Sequence, residues 1–508
     1  MKFVYQTSCA MLALALSTAF AKQAPSTSSP LDVLMVGGGP TPEYNQIAIE
    51  SNVRYLNHIL PPNSQITTFF ADGNLNHATV KEETQDLKKS TPSPLLNLIV
   101  FENPAGPDQI KMKYPQLGGP LDGPSKHSSI RKWFDTTAKS YQSGTETSPL
   151  LLYFTGHGSP DGADYNNNYY DLWGAHNGLS VQQLSHYLTQ IPSNVETTLI
   201  MVQCFSGSFG NLLFKGGLPN GKYTETNLCG YFAAIPTLPA AGCTTDVNES
   251  DYHDFTSYFF AALSGRDRFG KKVTGADYNH DGKVGMNEAY CYSLIHDTSI
   301  DVPMCTSDVF LRRYEQHGQP DFTIPFAQVV SEADPAQKAA LTGMAKLLHI
   351  SGENCAEIEY KQMLNHPPGL NEDNDSKQWM NFLSDLTKCR NQVMKRFPNL
   401  RSFDDLMHSP NTEKSVIEWI NRQKRKAPWN ELMSAYQADA KVSELGNEEE
   451  RKSALRLRFL RLYNSVVLAK KLMDSSDTKR IRQYEHLVSL EDQPLIPPAS
   501  SWNAQPAK

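Results

Sequence analysis

Two short apolar segments constrain the fold of this chain most, because each resembles a buried strand and ends in a reactive side chain. Residues 151–158 have the sequence LLYFTGHG, and residues 199–208 have the sequence LIMVQCFSGS. Continuous apolar runs of this length, bounded by small residues, are typical of strands buried on both faces of a parallel sheet. Ligands bind beyond the carboxyl ends of such strands, so we expect His157 and Cys204 to face one crevice.

Helical and strand-like patterns alternate through the first two thirds of the chain. This alternation predicts an α/β fold, in which helices flank a mostly parallel sheet. The predicted strands beside the two apolar segments lie at residues 31–36, 66–70 and 230–235, and the predicted helices lie at residues 47–60, 130–141 and 180–188.

Strand-like runs disappear near residue 330, and helical periodicity then dominates to about residue 490, most clearly over residues 451–473. We therefore predict an α/β domain over residues 31–326, a mainly α-helical C-terminal domain over residues 337–490, and a Pro-rich tail over residues 491–508. The C-terminal helices are basic, so they can attract an acidic N-terminal domain, although solvated helix faces explain the same charges.

The N-terminus has the features of a signal peptide. Lys2 supplies a positive charge, residues 10–16 are apolar, and residues 19–21 (AFA) form a small-x-small cleavage site. Residues 1–21 therefore predict a secreted or periplasmic protein. The apolar stretch is too short to span a bilayer and no later segment is long enough, so we expect no stable membrane insertion. A net charge of −7 argues against nucleic acid as a partner.

The cysteine count is consistent with export. Of eight cysteines, Cys9 leaves with the signal peptide and Cys204 is the candidate nucleophile. The other six fall in sequence-adjacent pairs, which predicts three disulfides in an oxidising compartment, with several buried thiols as the alternative. The predicted pairs are Cys229 with Cys243, Cys291 with Cys305, and Cys355 with Cys389.

A thiol that faces an imidazole is sufficient for covalent acyl transfer. Cys204 attacks a carbonyl as the thiolate, and His157 acts as general acid and base. Gly158 lets the backbone approach a substrate closely, so its N–H and that of Cys204 can bind the developing oxyanion. These residue types predict a cysteine peptidase.

Both motifs resemble those of the caspase-fold cysteine peptidases, most closely the legumain (asparaginyl endopeptidase) branch. In that branch the blocks are approximately VYFTDHGS and EACxSGS, and here they are LYFTGHGS (residues 152–159) and VQCFSGS (residues 202–208). Residues 232–246 also resemble the family's substrate-pocket strand and loop. The resemblance covers about residues 31–260.

The resemblance implies a caspase-like fold, a protein or peptide substrate, and substrate-binding positions at Gln203 and Asp246. Val202 stands where the family has an acidic pocket residue, and Asn45-Gln46 stands where it has a basic pair. The residue preferred before the scissile bond is therefore left open. In legumains, C-terminal helices cap the site as a removable prodomain, which implies possible intramolecular inhibition and synthesis as a zymogen.

Two other functions remain open at this stage. The chain can be a catalytically inactive, calcium-stabilised binding protein of the same fold. It can also be a transpeptidase or ligase that uses the same acyl-enzyme, since only the acceptor differs from that of a hydrolase.

Residues 277–288 (DYNHDGKVGMNE) match the twelve-residue EF-hand calcium loop. Oxygen side chains stand at loop positions one, three and five, Gly282 stands at position six, and a glutamate stands at position twelve. A single loop in an exported protein predicts a structural Ca²⁺ ion of modest affinity. The predicted ligands are Asp277, Asn279, Asp281, the Lys283 carbonyl and Glu288.

Overall fold

The structure of the protein is a computed structural model that describes most of the chain. The described residues are 30–83, 99, 110–162, 164–174, 178–243, 248–249, 252–314, 321–365, 372–398, 400 and 410–496. The predicted signal peptide and most of the predicted tail lie outside these residues.

The strands and helices alternate in the first half of the chain, and the described segments after β11 contain helices but no strand. The strands are β1 (Asp32–Gly38), β2 (Gln65–Phe70), β3 (Val80–Glu83), β4 (Ile110–Lys113), β5 (Leu150–Gly156), β6 (Gly158–Ser159), β7 (Tyr169–Tyr170), β8 (Leu179–Ser180), β9 (Thr197–Met201), β10 (Leu228–Phe232) and β11 (Met304–Cys305). The helices are α1 (Ile47–Ile59), α2 (His127–Ser143), α3 (Val181–Leu188), α4 (Phe255–Ser264), α5 (Met286–His296), α6 (Thr306–Tyr314), α7 (Phe326–Glu332), α8 (Pro335–Leu347), α9 (Cys355–Asn365), α10 (Glu372–Arg396), α11 (Pro410–Gln423), α12 (Trp429–Met473) and α13 (Thr478–Glu491).

A six-stranded sheet with the order β2-β1-β5-β9-β10-β11 forms the centre of the molecule. The first five strands are parallel, and β11 adds to the edge in the antiparallel direction. Every residue of β1, β5, β9 and β10 is buried, as expected for parallel strands covered on both faces. The predicted α/β class with a mostly parallel sheet and a helical C-terminal part is confirmed.

Strand β1 pairs with β2 on one side and with β5 on the other. The order in which successive strands add to the sheet therefore reverses at β1. This reversal places the switch point at the carboxyl ends of β1 and β5, which is where open α/β sheets bind ligands. His157 directly follows β5 and therefore lies at this switch point.

The helices after Phe326 divide between two apolar clusters. Helices α7, α8 and α13 and the second half of α12 contribute to the main cluster around the sheet, for example through Leu341, Phe459 and Leu487. Helices α10 and α11 and the start of α12 form a smaller cluster, which also includes Ile99. No helix in the described ranges is long and apolar enough to cross a membrane.

None of the three predicted disulfides is formed, because all seven cysteines of the described residues are free. Cys229 lies beside Thr198 near the amino ends of the strands, whereas the Cys243 thiol donates a hydrogen bond to the carbonyl of Gly156 at their carboxyl ends. Thr198 pairs with Leu151, so the two thiols are about 16 Å apart along the sheet at ~3.3 Å per residue, too far for a disulfide.

The cysteines of the other two pairs are also unbonded. Cys355 belongs to the main apolar cluster and Cys389 to the smaller one. Cys291 and Cys305 are both buried, but their sulfur atoms contact different polar groups: Asn287 Oδ1 at 3.9 Å and Ser307 Oγ at 3.1 Å, respectively. Buried thiols, the alternative reading of the cysteine count, describe these residues in the structure.

Candidate active site

The two reactive motifs meet at the carboxyl edge of the sheet. Strands β5 and β9 run parallel and in contact from Leu150 beside Thr197 to Phe154 beside Met201. Beyond them, a Cβ atom added to Gly158 would lie 2.2 Å from the carbonyl oxygen of Cys204. The backbones that follow His157 and precede Phe205 are therefore in contact, as expected from the order of the strands.

The imidazole of His157 is half-buried and has two polar neighbours. Its Nε2 lies 2.8 Å from Oε1 of Gln46, and its ring packs edge-on against the exposed Tyr44 ring at 5.9 Å. Burial lowers the pKa of His157, although the Asp171 carboxylate and a hydrogen bond to the Tyr44 backbone oppose that shift. A lowered pKa favours the neutral imidazole at neutral pH, which is the form that accepts a proton.

Asp171 is a polar neighbour of His157 that sequence reasoning missed. Its backbone N–H donates to the carbonyl of His157 at 2.9 Å, and its Oδ2 accepts a hydrogen bond of 2.9 Å from the Ser159 hydroxyl. Burial raises the pKa of the Asp171 carboxyl. The only sequence signal was its place after the Tyr169-Tyr170 pair, and such a pattern is too common to identify an active-site acid.

The Cys204 thiol is half-buried against the backbone of Ala240. The Ala240 N–H donates to Sγ at 3.3 Å, and Sγ lies 3.6 Å from the Ala240 carbonyl oxygen. Burial raises the pKa of the thiol, and the Ala240 N–H opposes that shift because it stabilises the thiolate. Both His157 and Cys204 are described, and no hydrogen bond joins them, so proton transfer requires closer approach in a substrate complex.

A sharp turn follows Cys204. Phe205 has a left-handed backbone with φ of 59°, and a 3₁₀ helix spans Ser206–Leu213. The turn is held by Asn168, whose Nδ2 donates to the carbonyls of Phe205 (3.1 Å) and Pro236 (2.9 Å). A non-glycine residue in this region carries strain, which persists where the surrounding contacts over-determine the backbone.

The backbone N–H of Gly158 points away from its partner strand. Gly158 lies opposite Tyr170 in the antiparallel pair of β6 and β7. In the adjacent pair, His157 lies opposite Asp171, and the Asp171 N–H donates a hydrogen bond to the His157 carbonyl. Hydrogen-bonded and non-hydrogen-bonded pairs alternate in such a ladder, so Gly158 occupies a non-hydrogen-bonded position. Its N–H is therefore available to an oxyanion beside Cys204.

The two predicted substrate-binding residues have different outcomes. Gln203 is fully buried beside Gly158, and both polar atoms of its amide are without a hydrogen-bond partner among the described residues. Its side chain is thus not presented on the surface of this structure. Asp246 lies outside the described residues.

The EF-hand-like loop is closed by its own side chains. Asp277 Oδ2 accepts from the Gly282 N–H at 3.1 Å, and Gly282 has the positive φ of 86° that the sharp turn requires. The carboxylate of Glu288 is buried and accepts backbone hydrogen bonds from Tyr278, Asn279 and Gly285.

Part of the donor set in this loop has no protein partner. Asp277 Oδ1 is a buried oxygen atom with no hydrogen-bond partner in the described part of the chain. No group of three or more His, Cys, Asp or Glu residues there is arranged to hold a metal ion. Ca²⁺ also takes amide and backbone carbonyl oxygens, which Asn279 and Lys283 offer, so the oxygen donors fit a weak Ca²⁺ site.

No protein-family model matches the chain, and no curated protein matches it.

Proposed function

We propose that the protein is a cysteine endopeptidase of the legumain branch of the caspase-like fold. The observation that supports this most is the contact between the His-Gly and Cys motifs, with Gly158 against the Cys204 carbonyl at the switch point of a parallel sheet. The half-buried imidazole has a lowered pKa, and the thiol on the neighbouring motif accepts a backbone hydrogen bond; the two groups are suited to acyl transfer once a substrate brings them together.

The proposed reaction has two halves. The Cys204 proton passes to His157, the thiolate attacks the scissile carbonyl, and the N–H groups of Gly158 and Cys204 bind the oxyanion. The C–N bond then breaks as His157 gives its proton to the leaving amine. In the second half, His157 takes a proton from water, which attacks the thioester and releases the acid and the free thiol.

The two rival functions differ in measurable ways. A transpeptidase or ligase forms the same thioester but passes the acyl group to an amine. An inactive binding protein forms no thioester, and the raised thiol pKa of Cys204 is the observation that favours it.

The test is labelling of the mature chain with a library of peptides that carry an electrophilic carbonyl. We expect labelling of the wild type and of Cys243→Ala, and none of Cys204→Ala. Cys243 is the matched control because its thiol lies on the same crevice, against the carbonyl of Gly156. Labelling that survives Cys204→Ala contradicts the proposal, and so does a wild type that stays unlabelled at every pH. Added amine acceptors distinguish ligation from hydrolysis.

We further propose that residues 277–288 bind a structural Ca²⁺ ion. The buried, unpartnered Asp277 Oδ1 supports this, since an orphaned carboxylate oxygen gains a partner when the ion binds. At a calcium concentration ten times Kd, binding to the folded state alone stabilises it by about 1.4 kcal/mol. We expect millimolar CaCl₂ to raise the Tm of the wild type but not of Asp277→Asn, which keeps an acceptor for the Gly282 N–H. An equal rise in both proteins contradicts the proposal.

Export is also a proposal, based on residues 1–21. It predicts that the mature protein recovered outside the cytoplasm begins at Lys22, which N-terminal sequencing determines.

A further inference from the structure

Residues 238–242, which we call the thiol loop, support the Cys204 side chain. Ala240 donates its N–H to Cys204 Sγ at 3.3 Å, and Leu238 accepts the N–H of Phe205 at 3.0 Å. The loop has no regular secondary structure. The position of the thiol loop therefore depends on contacts with residues on the side away from Cys204.

A single buried carboxylate holds the thiol loop. Asp301 is 1% exposed, and its Oδ1 accepts the backbone N–H of Ala241 at 2.6 Å. Its other oxygen accepts the N–H of Phe255, the first residue of α4, at 2.9 Å. Asp301 thus ties the loop under the thiol to the start of a core helix.

Asp301 is in turn held by an arginine from the C-terminal helix α12. Arg458 is 1% exposed, and its guanidinium donates to three alternate carbonyls of one turn: Nε to Asp301 at 2.6 Å, Nη1 to Asp297 at 2.5 Å, and Nη2 to Ser299 at 2.9 Å. Nη2 also lies 3.4 Å from Oδ1 of Asp297. A planar fork of donors matches this turn in a way that a lysine ammonium cannot.

We propose that Arg458 and Asp301 are positioning residues for the nucleophile, which act on Cys204 through the backbone of Ala240 and Ala241. Only the role of Cys204 as nucleophile rests on the proposed function, because the contacts from α12 to the thiol are present whether or not the protein is a peptidase. It makes the second half of α12 part of the catalytic unit. A fragment that carries α12 must then stay bound to the α/β part after any cleavage that activates the protein.

The contact predicts a change in thiol acidity. The N–H of Ala240 favours the thiolate, so a relaxed thiol loop raises the pKa of Cys204. The charges of Asp301 and Asp171 themselves raise the pKa of Cys204, so the Asp301 variant must keep its charge. We expect Arg458→Met and Asp301→Glu, which displaces the carboxylate oxygens, to move the midpoint of Cys204 alkylation to higher pH by about one unit, which is about tenfold less thiolate at neutral pH. Alkylation is followed by mass spectrometry of the Cys204 peptide as a function of pH.

Arg461→Met is the matched control. Arg461 is on the same helix and is also largely buried, but its guanidinium pairs with Asp308 rather than with the 297–301 turn. We expect this variant to lose stability without a change in the alkylation midpoint. An unchanged midpoint in folded Arg458→Met and Asp301→Glu overturns the proposal, as does an equal change in Arg461→Met.

Arg458→Lys keeps the charge with a different donor geometry, and it replaces Arg458→Met if that variant does not fold. In that case an unchanged midpoint in both Arg458→Lys and Asp301→Glu overturns the proposal. The experiment needs no peptide turnover. If the wild type cleaves nothing but the midpoint still changes, the peptidase proposal fails and the positioning role of Arg458 remains.

Discussion

Replacing Gly158 with alanine adds one carbon atom at the point where the two reactive motifs touch. The new Cβ would lie 2.2 Å from the carbonyl oxygen of Cys204 and 2.7 Å from Cγ of Gln203. Cβ contacts below 3.0 Å are essentially never seen, so the two backbones must separate by about 0.8 Å. The nearest atom is backbone, which cannot rotate away as a side chain can.

This displacement falls on the groups that carry the proposed chemistry. A misplacement of about 1 Å costs on the order of 100-fold in rate, because the thiol and the oxyanion donors lose their alignment. Overpacking of this kind also costs about 1–3 kcal/mol of stability. We therefore expect Gly158→Ala to stay folded and to lose about 100-fold in kcat/KM on a peptide substrate found by the probe library.

Gly144→Ala is the control for stability. Gly144 ends helix α2 with φ of 72°, and an added Cβ there meets no atom within 4 Å. An alanine in this left-handed conformation costs roughly 1–2 kcal/mol, so stability falls by a similar amount with no change at the site. Urea unfolding and kcat/KM are measured for both variants. Full activity in folded Gly158→Ala, or an equal loss in Gly144→Ala, refutes the reasoning.

Three further changes test other parts of the structure. Gln46→Leu removes the oxygen atom beside His157 Nε2. We expect about tenfold lower kcat/KM and a lower imidazole pKa in the pH–rate profile, because a hydrogen bond to a charged group is worth about 1.5–3 kcal/mol. An unchanged pH–rate profile contradicts this role for Gln46. Asp308→Ala leaves the partly buried Arg312 and Arg461 without their carboxylate partner. Urea unfolding should show that the free energy of unfolding falls by about 3–5 kcal/mol. A fall below about 1 kcal/mol contradicts this prediction. Burial raises the pKa of Glu491 from 4.5 to about 7, so the folded state keeps a proton that the unfolded state loses, and stability falls as pH rises from about 4.5 to 7. Glu491→Gln should match the wild type near pH 4 and exceed it by about 3 kcal/mol at pH 8, and an equal pH dependence of the two proteins is the contrary result.

The sheet was predictable because its strands are apolar throughout. The segments before His157 and Cys204 have no polar alternation, which left burial on both faces as the consistent reading, and both form parallel strands. The helical pattern of residues 337–490 is clearest over residues 451–473, and helix α12 begins earlier, at Trp429. Its first half gave a weaker signal because it is rich in charged residues and lacks a sustained apolar stripe.

The contacts around the two reactive side chains were beyond sequence reasoning for two physical reasons. Gln46 and His157 are 111 positions apart, and only the return of the chain to β5 beside β1 brings them together. The partner of Cys204 is the backbone of Ala240, and a backbone group has no residue signature. The cysteine pairings failed on the same ground, because closeness along the chain does not give closeness across a sheet.

The position of helix α13 has a consequence for how the protein reaches this fold. The buried Glu491 carboxylate accepts a hydrogen bond from Thr306, 185 positions earlier, and the Tyr231 hydroxyl donates to the Glu491 carbonyl across 260 positions. Contacts this distant in sequence close late and slow folding. Until α13 is synthesised, it cannot cover β10, so the nascent chain exposes apolar surface there, which favours aggregation.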